Sequence, residues 1–174
     1  AVAATVALGA LAVCHIVYAF ILTAQNRSAR GANRYEVTAK PEKVEWASQN
    51  MLVLGIIVLL GLALHLFNFW YNMMFAELVG MRTMLEPTDG FGLICATFQT
   101  KVYVILYVIW IVALWYHLSH GFWSAMQTIG INGKVWFNRW KVIGTVYVTL
   151  LMLAFLVVVL AFAFGCAPSL HCAA

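Results

Sequence analysis

Charged side chains are scarce in this sequence: Asp, Glu, Lys and Arg make up 9% of its 174 residues. An ordinary soluble domain carries roughly 25%. Apolar residues make up 64% of the sequence, and the mean hydropathy is +0.91. The shortage of charge excludes an ordinary soluble domain and indicates a membrane protein.

The chain also lacks internal repeats, low-complexity segments and any sign of a second domain, so we expect one transmembrane domain over 1–174. Four apolar runs, at 1–23, 47–75, 101–126 and 142–165, are long enough to cross a hydrocarbon layer of about 30 Å. Lipid offers no hydrogen bonds to the backbone, so each run must be helical. The sequence therefore predicts an all-α, polytopic transmembrane helical bundle with four spans.

An initiator Met and a basic leading region are both absent at the start, "AVAATVALGA", which already lies inside an apolar run. These features do not fit a signal peptide. We expect the sequence to begin at the start of a transmembrane helix, and whether residues precede Ala1 stays open.

Basic residues are concentrated in two connections. The connection 25–45 holds five of the ten Lys and Arg residues and the connection 127–141 holds three, whereas 78–100 holds one. By the positive-inside rule, 25–45 and 127–141 face the cytoplasm. The net charge of +4 thus reflects topology, and nucleic acid is not an expected partner. The eight residues are Arg27, Arg30, Arg34, Lys40, Lys43, Lys134, Arg139 and Lys141.

The four cysteines do not define a function. Cys14 and Cys95 lie in or near apolar segments, where a thiol behaves as a small hydrophobic group. Cys166 and Cys172 flank His171 in the tail, where a disulfide, a metal site and a loose terminus all remain open.

Histidines inside the spans are the strongest functional signal. His15, His65, His117 and His120 lie in apolar runs, where ionisable side chains are costly and mark cofactors, ions or proton paths. A single such histidine also fits a packing role, hydrogen-bonded to a neighbouring helix.

Depth distinguishes these histidines from one another. His15 and His117 each lie about 10 residues before a cytoplasmic boundary, or roughly 15 Å from the same face, on different helices. A haem iron needs two imidazoles that approach from opposite sides on facing helices. His65 lies deeper, roughly 26 Å from that face, and has no partner at its depth in this chain. His117 and His120 share one helix face, so they do not oppose each other.

Small and aromatic residues surround these positions. Gly55, Gly61 and Gly121 leave room for a porphyrin or, equally, for a neighbouring helix. Eight aromatic residues are candidates to line cofactor edges, but we expect most of them to be core or interfacial-belt residues. They are Phe67, Phe69, Trp70, Tyr71, Trp115, Tyr116, Phe122 and Trp123.

Three segments, "CHIVYAFILTAQNRSA", "WASQNMLVLG...ALHLFNFWYNM" and "YHLSHGFWSAMQTIGI", resemble the second, third and fourth spans of a known family. It is the di-haem cytochrome b membrane anchor of succinate dehydrogenase and fumarate reductase. The most specific element is His-x3-Gly-x-Trp-Ser, from His117 to Ser124. Family members have five spans; this chain supplies four and lacks the counterpart of the first.

The resemblance implies two haem b groups in a subunit of the bacterial cytoplasmic membrane. His15 and His117 match the axial ligands of the haem nearer the cytoplasm. His65 matches a ligand of the distal haem, whose second ligand the family places on the missing helix. His120 is not a family ligand, and we expect it to act as a hydrogen-bonding group near the haem or the interface.

The implied activity is electron transfer between a quinone, menaquinone or another, and an iron–sulfur subunit, with a flavoprotein subunit performing the dicarboxylate chemistry. Glu77 and Glu86 lie near the distal face, where we expect solvated carboxylates and assign no quinone ligand. Two other readings stay open: a haem-free transporter or proton-conducting subunit that uses the histidines as a relay, and a structural anchor without haem. The absence of repeats or broken helices argues against a transporter.

Overall fold

The computed structural model describes residues 2–30, 45–83, 85–131 and 133–165. All regular secondary structure in these ranges is helical. Four helical stretches are long and apolar enough to cross a membrane: Val2–Ala29, Met51–Val79, Lys101–Thr128 and Trp136–Ala163. The predicted all-α fold with four spans is confirmed, and the chain is a multi-pass membrane protein.

The helices differ from the predicted spans mainly at their ends. In chain order they are α1 (Val2–Arg30), α2 (Trp46–Gln49), α3 (Met51–His65), a π-helix (Leu66–Phe75), α4 (Ala76–Val79), α5 (Gly90–Phe98), α6 (Lys101–Thr128) and α7 (Trp136–Ala163). Hydropathy marks only the part of a helix that lies in hydrocarbon. The helical backbone continues beyond that part, so α1 extends to Arg30 and α7 begins at Trp136.

The chain divides into two units, Ala1–Glu45 and Trp46–Ala174. In the first, the described structure is α1, whose side chains are mostly exposed. The second contains α2 to α7 and a core built from α5, α6 and α7. The predicted cytoplasmic connection 25–45 falls largely on residues 31–44, and the tail with Cys166, His171 and Cys172 follows 165; both lie outside the described residues.

α6 packs closely on α3 through one glycine and one tryptophan. A Cβ atom at Gly61 would overlap the Trp110 indole ring. The indole nitrogen of Trp110 also donates a hydrogen bond to the Val58 carbonyl at 3.0 Å. Small residues allow close helix approach in membranes, so Gly61 serves helix packing at this contact.

α7 packs on the same helix in a similar way. A Cβ at Gly144 would overlap the ring of Phe122. Trp115 donates from its indole nitrogen to the Thr149 hydroxyl at 2.8 Å. α6 is therefore fixed to α3 and to α7 by one aromatic–glycine contact and one indole hydrogen bond each.

The connection 78–100, predicted as turn-rich at "EPTDGFG", also contains the nine-residue helix α5. Its first turn is capped by Asp89, whose side-chain oxygen accepts from the Gly92 amide at 2.8 Å. Cys95, Thr97 and Phe98 of α5 are buried. This connection thus returns into the protein, and its apolar residues contribute to the core.

Candidate cofactor site

His65 lies at the end of α3 inside a group of aromatic rings. The ring centroids of Phe69, Trp110 and Tyr107 are 5.1, 5.4 and 6.2 Å from that of its imidazole. Its Nδ1 atom is buried and has no hydrogen-bond partner among the described residues. A buried polar atom without a partner costs about 1–3 kcal/mol. His65 is thus a potential ligand in a largely apolar setting.

A π-helix of ten residues begins directly after His65. Long π-helices are rare, and π turns are frequent at functional sites. The Asn72 side-chain amide donates to the carbonyls of Phe67 and Asn68 at 3.0 and 3.1 Å. The first of these bonds spans five residues, the spacing of a π turn. Asn72 therefore contributes to holding the widened turn.

Asn68 links this π-helix to α6. It is buried, and its side-chain amide donates to the Tyr107 hydroxyl at 3.4 Å. A buried amide requires such a partner at membrane depth, since water is absent. Sequence reasoning missed Asn68 and Tyr107; the signal was available in "NFWYN", which places two amide side chains in an apolar run.

His117 lies on α6 and faces α3 at Gly55. A Cβ built on Gly55 would lie 3.7 Å from His117 Cε1, an ordinary contact distance. The His117 Nδ1 atom is buried. The structure therefore places this histidine at a helix–helix contact within the membrane span, beside a glycine that the sequence singled out.

His120 has different neighbours. Its ring lies edge-on to Trp123 with centroids 4.7 Å apart. Trp123 in turn contacts Phe137 of α7 at 5.4 Å, and the Lys141 ammonium lies 4.6 Å from the Trp123 ring centroid. His120 thus belongs to an aromatic and cationic cluster where α6 and α7 meet.

His15 is exposed on α1, within the first unit. His65 and His117 belong to the second unit. The structure brings His65 together with Tyr107 and Trp110, while the pairing of His15 with His117 stays a prediction. Glu77 and Glu86 are both exposed.

The three glycines have different surroundings. The space that a Cβ at Gly61 would take is filled by the Trp110 ring, and a Cβ at Gly55 would contact His117. Around a Cβ at Gly121, by contrast, no neighbouring heavy atom of the described residues lies within 4 Å. Helix packing thus accounts for Gly61, and space for a further group remains beside Gly121.

A haem requires imidazole nitrogens available for iron in a water-poor environment. His65 fits the water-poor part of this requirement, because aromatic rings surround its imidazole and its Nδ1 is buried; iron would bind the other ring nitrogen, Nε2. His117 fits the water-poor part of it, because it lies within the candidate span Lys101–Thr128 and its Nδ1 is buried. The comparison with known proteins found no matching family model, curated protein or solved structure.

Proposed function

We propose that this chain is the membrane cytochrome b subunit of a succinate dehydrogenase or fumarate reductase complex. It transfers electrons between a quinone/quinol pool and the iron–sulfur subunit. The observation that carries the proposal is His65, a span histidine whose imidazole is enclosed by three aromatic rings and whose buried Nδ1 has no hydrogen-bond partner in the described structure.

His15 and His117 are the proposed axial ligands of the haem nearer the cytoplasm. His65 is the proposed ligand of the deeper haem, for which this chain supplies no second candidate ligand. Haem b, when bound, supplies a one-electron Fe(III)/Fe(II) couple. His120 is proposed as a hydrogen-bonding group near the first of these haems.

The chain's own residues set the surroundings of the proposed deeper ligand. Apolar and aromatic side chains surround His65, and iron would bind its Nε2 nitrogen. The rings around His65 also exclude water, and a low local dielectric is one of the means by which a protein sets a haem potential.

The basic connections 25–45 and 127–141 are proposed to lie on the cytoplasmic side of a bacterial inner membrane. There they maintain topology and contact the iron–sulfur subunit or haem propionates, because Arg pairs strongly with carboxylates. The flavoprotein subunit completes the complex and performs the dicarboxylate chemistry.

The test is an absorption spectrum of the purified, folded protein with its accompanying subunits. Bis-histidine haem b gives sharp alpha and beta bands after dithionite reduction, and membranes from cells that lack the gene serve as the control. A folded protein without these bands would contradict the proposal and favour a haem-free transporter, proton conductor or structural anchor.

A further inference from the structure

His65 lacks the feature that ordinarily sets a ligand histidine's orientation. In most metal sites the second ring nitrogen donates to a carboxylate, carbonyl or water, and this bond fixes the ring. No such bond reaches the buried Nδ1 of His65 from the described residues. Rotation about the last side-chain torsion of histidine is only weakly restricted by its own chemistry, so another feature must hold the ring.

We propose that Trp110 and Tyr107 are positioning residues that fix the imidazole plane of His65 through ring contacts. The inference rests on the proposed function, in which His65 ligates the deeper haem. Both residues lie on α6. The ring centroids of Trp110 and Tyr107 are 5.4 and 6.2 Å from that of His65. Packing against these two rings takes the place of the hydrogen bond that ordinarily orients the imidazole.

Trp110 is held on two sides. Its indole nitrogen is bonded to the Val58 carbonyl at 3.0 Å, and its ring occupies the space that a side chain at Gly61 would fill. The interplanar angle between the Trp110 and His65 rings is 32°. A ring fixed by a hydrogen bond and by close packing is a rigid wall for its neighbour.

Tyr107 forms the second wall. It is buried, its hydroxyl accepts from Asn68, and its ring is edge-on to Trp110 with centroids 5.7 Å apart. The hydrogen bond connects α6 to the π-helix that starts directly after His65. A shift of Tyr107 would therefore affect both a ring that packs against the His65 imidazole and the π-helix that follows His65.

The orientation of an axial imidazole is measurable. In a low-spin ferric haem, the angle between the two imidazole planes determines the position and width of the low-field electron paramagnetic resonance signal. Loosening one ligand plane shifts or broadens that signal without removing the haem.

The experiment uses the full-length natural subunit in its purified complex, oxidised and frozen. His65→Ala and His117→Ala assign each low-field signal by its loss. Trp110→Phe keeps an aromatic ring and removes the bond to Val58; Tyr107→Phe removes only the hydroxyl; Gly61→Ala displaces the indole. Trp115→Phe is the matched control, because Trp115 is on the same helix but bonds Thr149 of α7.

We expect Trp110→Phe and Gly61→Ala to shift or broaden the His65 signal, and Tyr107→Phe to do so less. The His117 signal should stay in place in all three, and Trp115→Phe should change neither. An unchanged His65 signal, or an equal change with Trp115→Phe, overturns the inference while the haem assignment stands. If Trp110→Phe and Gly61→Ala fail to fold, the His65 signal in Tyr107→Phe tests the inference instead. A wild-type complex without haem signals overturns the proposed function, and the inference with it.

Discussion

The two histidines of "HLSH" stand three residues apart on α6 and have different neighbours. His117 meets α3 at Gly55, whereas His120 packs on Trp123 near Lys141. Spacing alone places them on one side of the helix. Their different contacts are consistent with separate roles and make the two positions a matched pair for substitution.

On the proposed function, His117→Ala is expected to abolish binding of the proposed haem nearer the cytoplasm, because the iron would lose an axial ligand, while His120→Ala is expected to retain it. Haem per protein, from the reduced pyridine haemochrome, measures both. Loss with His120→Ala and retention with His117→Ala would show that the ligand register is wrong.

Gly61→Ala is expected to destabilise the protein by about 1–3 kcal/mol, the usual cost of overpacking, because its methyl group overlaps the Trp110 ring. Unfolding in mild detergent with added denaturant measures the change. Gly9→Ala is the control, since no neighbouring heavy atom of the described residues lies within 4 Å of a Cβ there. Equal losses in both variants would contradict this account.

Gly121→Ala separates two explanations of that glycine. The described neighbours leave a Cβ uncontacted, so the folded apoprotein should be about as stable as wild type. If a haem lies beside the residue, the variant should retain less haem per protein than wild type. Full haem retention would indicate that the open space does not serve the cofactor.

Candidate ligands were accessible from the sequence because a histidine in an apolar run is conspicuous. The residues that contact the candidate ligands were not accessible in this way. Trp110 and Tyr107 are ordinary aromatic residues of a span, and only the helix–helix register places them beside His65. Hydropathy and depth fix how far along a helix a residue lies, but not which side chain it meets.

The helices that apolar composition determines were predictable from the sequence. Those that depend on local backbone geometry were not. Each apolar run became a helix. The π-helix was missed, because an extra residue per turn leaves hydropathy unchanged. The helix α5 was also missed, because its nine residues follow a turn sequence and are too few to span a membrane.

The cap of α5 gives a prediction at this scale. Asp89→Ala is expected to lower stability by about 1 kcal/mol, because the Gly92 amide loses its side-chain acceptor. Asp89→Asn should retain most of the stability, since an amide oxygen also caps. Thermal unfolding in detergent measures the difference, with Glu86→Ala, an exposed position in the same connection, as control. Identical midpoints for wild type and Asp89→Ala would contradict the capping role.

For the whole molecule, the distribution of basic residues predicts the orientation in the membrane. In a variant without its native cysteines, Lys134→Cys should be protected from a membrane-impermeant maleimide in intact cells, and Thr88→Cys should react. Both positions are exposed, so accessibility reports the side of the membrane. Labelling of both after cell lysis is the control, and the reverse pattern in intact cells would invert the topology.

The π-helix has a consequence for how the molecule fits its bilayer. A π turn includes more residues than an α turn for a similar advance, so ten π-helical residues make the span Met51–Val79 shorter than its 29 residues suggest. Residue count therefore overstates the hydrocarbon thickness that this span matches. Deleting one residue from the π-helix would increase the average rise per residue of this span. It would therefore alter the bilayer thickness at which the protein is most stable, which reconstitution in lipids of graded acyl length would detect.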